Sequence, residues 1–272
     1  VSVAAPPKID PIELAVATWR ALWRLRDRAI LLALPLLLLG FGFDALVGAT
    51  MPAWPPVPTP EGTTAEPVPW GPLLFLWGAA LVMIAFLISN LTRLLLIGRA
   101  ANGTLLSLRW SIRETRVLVR FVLTFLFLFV LALPAAFTIS MVMNIVGNQG
   151  AAFILMLVFL GVMMGVALRL MFTVYAAALD WKIGFAEAWR LSRGNGFRLV
   201  GAYLAVNLPI VVVSIVATLI ATPLREAAPY MVLFLFNMIA VASSLGSVAM
   251  MALALDRLAN WRCGTGLPIS MP

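Results

Sequence analysis

Six apolar runs decide what this chain can become. They fall at 30–49, 73–96, 121–143, 151–179, 199–221 and 230–255. A helix of about 20 residues rises about 30 Å, the thickness of a bilayer's hydrocarbon core. Charged residues make up 11% of the chain, against roughly 25% in a soluble domain, so too few are present to clothe a water-facing surface. The expected fold is an all-α integral membrane protein with six transmembrane helices, forming one polytopic domain over 1–272. The fourth run is long enough for a tilted span, or for one that continues into the cytoplasm. The first follows a basic segment and has no small-residue cleavage site, so it reads as a retained span rather than a signal peptide.

The basic residues set the orientation. The segments before runs one, three and five, the C-terminal tail and the adjoining ends of runs two and four (Arg93 and Arg169) hold 18 of the 19 Lys and Arg and seven of the 11 carboxylates; the opposite side has only Arg225 against four acids. Positive residues stay on the cytoplasmic side, which places both termini there. A bacterial inner membrane is the expected location. The outer loop at 50–72 carries eight prolines and no basic residue, and reads as an extended polyproline-like excursion. The other outer connections are short, so spans three and four, and spans five and six, are expected to be antiparallel neighbours.

The inner segments carry the most local pattern. Asp10-Pro11-Ile12-Glu13 is a helix start: a capping Asp, Pro in the first turn and Glu three residues on. An interfacial helix over about 10–28 follows. Ile12, Val16, Trp19 and Trp23 form one stripe and Arg20, Arg24 and Arg28 a second, suited to headgroup boundary and phosphates respectively. Arg109, Arg113, Arg116 and Arg120 repeat the basic spacing, with Leu105, Leu108, Ile112 and Val119 on another face. In the third segment Phe185 and Trp189 are one turn apart, Arg190, Arg193 and Arg198 supply charge, and Gly194-Asn195-Gly196 breaks the helix. An amphipathic helix is thus expected before spans 1, 3 and 5. Each of those spans also contains a proline (Pro35, Pro134, Pro209), a pattern that makes a three-fold hairpin repeat possible.

The stretch Arg169-Leu170, Asp180, Ala186-Glu187-Ala188-Trp189-Arg190-Leu191-Ser192-Arg193-Gly194-Asn195 and Phe197-Arg198-Leu199 resembles a bacterial family of six-helix inner-membrane domains. That family includes the membrane domain of some glycerophosphoryl diester phosphodiesterases and stand-alone members without a catalytic domain. The resemblance covers roughly 169–199 and elsewhere is topological. It implies a fold and a location, and no defined activity for members that lack the catalytic domain.

The residues for chemistry are sparse. There is no histidine and one cysteine, Cys263, so imidazole catalysis and a thiolate metal site are both excluded. Only Asp10 and Glu13 sit at a helical pair spacing, and they have a capping role. No catalytic residue, metal ligand or cofactor is expected, and the chain reads as no enzyme. Arg169, Asp180, Asn207 and Asn237 form a candidate intramembrane polar site, with an ion pair, snorkelling or helix–helix hydrogen bonds as the plainer roles. Asn90 and Asn144 belong with those amides. Gly161 with Gly165, and Ser243, Gly246 and Ser247, form small-residue faces for close packing. The arginines Arg20, Arg24, Arg28, Arg109, Arg113, Arg116, Arg120, Arg190, Arg193 and Arg198 form a candidate anionic-lipid collar, anchored by Trp19, Trp23, Trp189 and Phe197. Partners are expected to be membrane lipids, their anionic headgroups above all, and possibly a membrane protein; nucleic acid is not expected. A non-catalytic scaffold or accessory role is the first reading. A small-solute or lipid transporter or channel, and an accessory subunit of a larger membrane complex, are the alternatives.

Overall fold

The computed structural model describes residues 7–50, 70–98, 110–146, 149–224 and 228–259. The secondary structure there is helical, with no strand among the described residues. The elements are α1 (Pro11–Arg24), α2 (Arg26–Thr50), α3 (Trp70–Leu96), α4 (Ile112–Val146), α5 (Gln149–Ala178), α6 (Phe185–Leu191), α7 (Gly196–Leu224) and α8 (Pro229–Ala259). Five of these, α3, α4, α5, α7 and α8, are long and apolar enough to cross a membrane. The chain has the make-up of a multi-pass membrane protein. The proline-rich loop, Arg109 with Leu105 and Leu108, and Cys263 lie outside the described residues.

Helix starts follow from local chemistry. The Asp10 side chain accepts hydrogen bonds from the backbone N–H groups of Ile12 and Glu13, as its cap position requires. Ser111 and Glu114 do the equivalent for α4: the Glu114 carboxylate accepts from the Ser111 N–H at 2.9 Å and from its hydroxyl. Glu187 accepts from the Gly184 N–H at 2.7 Å at the start of α6. Prolines 35, 134 and 209 sit inside α2, α4 and α7, where a spanning helix tolerates them.

Three inner-segment expectations change. The row Arg20, Arg24, Arg28 is interrupted, because α1 stops at Leu25 and Arg28 belongs to α2. No separate interfacial helix precedes the third span among the described residues: α4 runs unbroken for 35 residues from Ile112, so Arg113, Arg116 and Arg120 occupy its first turns. The third segment does form a short helix, α6, closed by Gly194 at φ +78°. The three inner segments therefore reach their spans in three different ways: a one-residue break, no break, and a loop.

Packing divides the molecule into two zones. At the inner end, α3, α5 and α8 bury nearly all of their side chains, with Leu91, Phe172, Ala178, Met250 and Leu255 almost wholly enclosed. α1 lies against α7 and α8 there, presenting Leu14, Ala15, Thr18 and Leu22 to them. Toward the opposite end the long helices expose large apolar side chains, among them Phe125 and Phe129 of α4, Phe153 and Ile154 of α5 and Leu219 of α7. As expected, α4 packs on α5 and α7 on α8. Gly246 is the close approach of the latter pair: a Cβ there would stand 3.0 Å from Val206 Cγ1. Gly246→Ala is therefore expected to lower stability by about 1 kcal/mol through overpacking, read as a lower unfolding midpoint in detergent. Gly165 meets Val200, whereas Gly161 has no neighbour that a Cβ would touch, so the expected Gly161–Gly165 packing face is not formed as a pair.

Candidate functional site

The polar groups expected to share one intramembrane site are separated. Asp180 follows the end of α5 in the left-handed region, at φ 60°, and meets three guanidinium groups. Arg113 Nε donates to its Oδ2 at 2.9 Å and Arg113 Nη2 stands 2.8 Å from the same oxygen. Arg116 Nη1 lies 3.4 Å from Oδ1 and Arg93 Nη1 3.6 Å from Oδ2. Arg93 also donates to the Ala178 carbonyl at 3.5 Å, placing a cation at the C-terminal end of α5. Beside them Glu114 is fully buried and accepts from Ser89 Oγ at 3.1 Å. This cluster ties α3, α4 and α5 together, and Arg113 and Arg116 are committed to it.

Asn207 serves the α7–α8 interface. Its Nδ2 donates to the Tyr203 carbonyl at 2.9 Å and its Oδ1 accepts from Ser243 Oγ at 2.6 Å, with Ser247 Oγ 3.5 Å from Nδ2. Asn237 donates to the Leu233 carbonyl within α8 and faces Gly40 of α2. Asn90 donates to the Phe86 carbonyl. Each amide is thus engaged with its own helix backbone, and Asn207 with a neighbouring helix as well.

Arg169 pairs with none of these. Its guanidinium stacks over the Trp189 indole, 4.4 Å from the ring centroid, and rests against Gly196, where a Cβ would overlap Nη2, Cζ and Nε. The same segment reaches α4, since Phe185 stacks on Phe127 with centroids 5.7 Å apart. These contacts fix the depth of α6. Arg169 is eleven residues before Asp180 on α5, and Phe127 eleven residues beyond Arg116 on α4. At 1.5 Å per residue both helices put α6 about 16 Å outward from the Asp180 cluster.

α1 meets this level from the other side. Asn195 Oδ1 accepts from the Ile9 N–H at 2.9 Å, Asn195 Nδ2 donates to the Pro7 carbonyl at 3.1 Å, and Arg198 Nη1 donates to the Ile9 carbonyl at 2.8 Å. Pro11 packs against Gly201, and Arg257 pairs with Glu13 at 2.9 Å. α1 and α6 thus adjoin the same first turns of α7. On their outward faces Ile12, Val16 and Trp23 of α1 are exposed, as are Trp189 and, most of all, Phe197 at 83%. Trp19 is half-buried against the core cluster. Arg20, Arg24, Arg28, Arg190 and Arg193 are exposed, and none has an ion pair among the described residues. Arg120 is half-buried in α4.

Sequence reasoning missed Arg93 and Asn195. A lone cation closing an apolar run was the available signal for Arg93; Asn195 read as part of a helix break and of the resembling stretch, without a partner. No group of three or more metal-ligating side chains occurs among the described residues. Compared with protein-family models, curated proteins and solved structures, the chain matches none.

Proposed function

We propose that this chain is a non-catalytic, six-span protein of a bacterial inner membrane, with cytoplasmic termini, that engages anionic lipid headgroups in a scaffold or accessory role. In this reading α2 (Arg26–Thr50) is the remaining span, beside the five long apolar helices. The family resembling the glycerophosphoryl diester phosphodiesterase membrane domain is the proposed kinship. The observation that carries the reading is that the start of α1 and α6 both adjoin the first turns of α7, with unpaired arginines beside exposed aromatic residues.

In this reading the lipid boundary lies at the level of those first turns of α7. From Arg169 to Gln149 α5 rises about 30 Å, one hydrocarbon thickness; the side chains from Phe153 to Val162 are mostly exposed, and those from Met163 to Ala167 are half-buried. Inward from Arg169 the helix is enclosed by protein. Exposed Trp23, Trp189 and Phe197 then sit at headgroup level, where aromatic rings are favoured, and Arg20, Arg24, Arg190 and Arg193 face phosphate. Each such cation contributes about 1 kcal/mol toward an anionic surface.

The collar is tested on the full chain in lipid nanodiscs of mixed phosphatidylglycerol and phosphatidylcholine. Replacing Arg20, Arg24, Arg190 and Arg193 together with glutamine should reduce the enrichment of the anionic lipid around the protein roughly tenfold. Enrichment that stays at the wild-type level at low salt rejects the reading. Arg113 and Arg116 are left in place because Asp180 holds them.

A further inference from the structure

Arg169 is a half-buried cation without an anion. Among the described residues its guanidinium makes no hydrogen bond and no ion pair; it stacks on Trp189 and rests against Gly196. The nearest carboxylates in sequence are spoken for. Asp180 is about 16 Å away along α5 and surrounded by Arg93, Arg113 and Arg116, and the Glu187 carboxylate is turned onto the Gly184 N–H. A cation–π contact contributes less than withdrawing a charge from water costs. The absence of a side chain at Gly196 is what admits the guanidinium. Gly196 also opens α7, so the cation lies at the positive end of that helix, an unfavourable pairing until a negative group joins it.

Trp189 on α6 stacks on the guanidinium, and Phe197 follows Gly196 at the start of α7; both rings are exposed. A phosphate beside an apolar body matches this arrangement: the anion meets the planar five-donor fork of arginine, and the hydrocarbon meets the rings. We infer that Arg169 binds the phosphate of a single inner-leaflet phospholipid, whose glycerol and acyl portion packs against Trp189 and Phe197. This rests on the proposed placement of α6 at the lipid boundary. It differs from the collar in kind, because one guanidinium held by an indole and a glycine defines a single seat, whereas the collar is a diffuse band of charge.

The test uses the full-length protein, delipidated in a neutral detergent and titrated with phosphatidylglycerol while native mass spectrometry counts retained lipids. Wild type should keep one phospholipid after the others are stripped. Arg169→Gln should lose it, with binding at least tenfold weaker, while still giving a helical circular-dichroism spectrum and a monodisperse elution profile. Gly196→Ala should weaken the same binding while keeping the charge, because the added methyl displaces the guanidinium, and it decides the matter should Arg169→Gln fail to fold. The collar variant of Arg20, Arg24, Arg190 and Arg193 should keep this one lipid, which separates failure of the collar from failure of the seat. Equal retention by wild type, Arg169→Gln and Gly196→Ala overturns the inference. So does displacement of the lipid by millimolar inorganic phosphate, which would identify the ligand as a free anion.

Discussion

Asp180→Asn is expected to destabilise the protein by about 3 kcal/mol, the largest effect of a single conservative change in this chain. The substitution keeps the shape and tolerates the left-handed backbone, which asparagine adopts readily. It removes only the negative charge shared by three arginines. Arg93 and Arg113 have side chains only 18% and 21% exposed, while Asp180 itself is 42% exposed. A fully exposed pair would contribute under about 1 kcal/mol, and a buried one whose partner is removed about 3–5 kcal/mol. Two enclosed guanidinium groups left facing each other argue for the buried figure, and the partial exposure of Asp180 for its lower end. Unfolding midpoints in detergent measure the loss. Arg113→Gln in the Asp180→Asn background should recover part of it by relieving the repulsion. A loss below about 0.5 kcal/mol would show that water screens the cluster.

Asn195→Ala is expected to cost about 2 kcal/mol and to free α1. Asn195 is 1% exposed, and its amide is the hinge pin between the N-terminal segment and α7. Without it the Ile9 N–H loses its acceptor and the Pro7 carbonyl its donor. A buried group left unsatisfied costs about 1–3 kcal/mol. The Arg198 bond to the Ile9 carbonyl remains, so detachment should be partial. Trypsin cleavage at Arg20 and Arg24 should accelerate roughly tenfold, as a free-energy change of about 1.4 kcal/mol in local opening would produce. Asn195→Asp, which keeps the acceptor for Ile9, should lose less. Unchanged cleavage would mean that the apolar face of α1 holds it alone.

The helical fold was legible because solvent leaves few choices: a run of apolar residues about 20 long must satisfy its own backbone in lipid. The cap at Asp10 was legible for a similarly local reason. The equivalent signal at Ser111 and Glu114 was present and went unread, hidden by the arginine spacing around it. α1 shows what periodicity leaves open. Its stripe of Ile12, Val16 and Trp23 is real, yet it faces outward, and the protein contact is made by Leu14, Ala15, Thr18 and Leu22. A helix touching lipid, water and protein has three faces, and its hydrophobic pattern does not say which apolar one turns inward. The partners of Asp180 were out of reach for another reason. They come from α3 and α4, 87, 67 and 64 residues away, and no local rule connects them. Arg169 was singled out by its charge alone; that Trp189 and Gly196 would receive it depends on how the 181–195 segment turns back along α5.

That turn alters what the length of α5 means. A 30-residue apolar helix invites the conclusion that it leans steeply or thickens the bilayer around it. With its last three turns sheathed by neighbouring helices, α5 can stand nearly upright, and its surplus greasiness answers to a proteinaceous sleeve. With the lipid boundary at Arg169, as proposed, hydrophobic length in this chain overstates membrane thickness, and sorting or mismatch arguments drawn from it would choose too thick a bilayer.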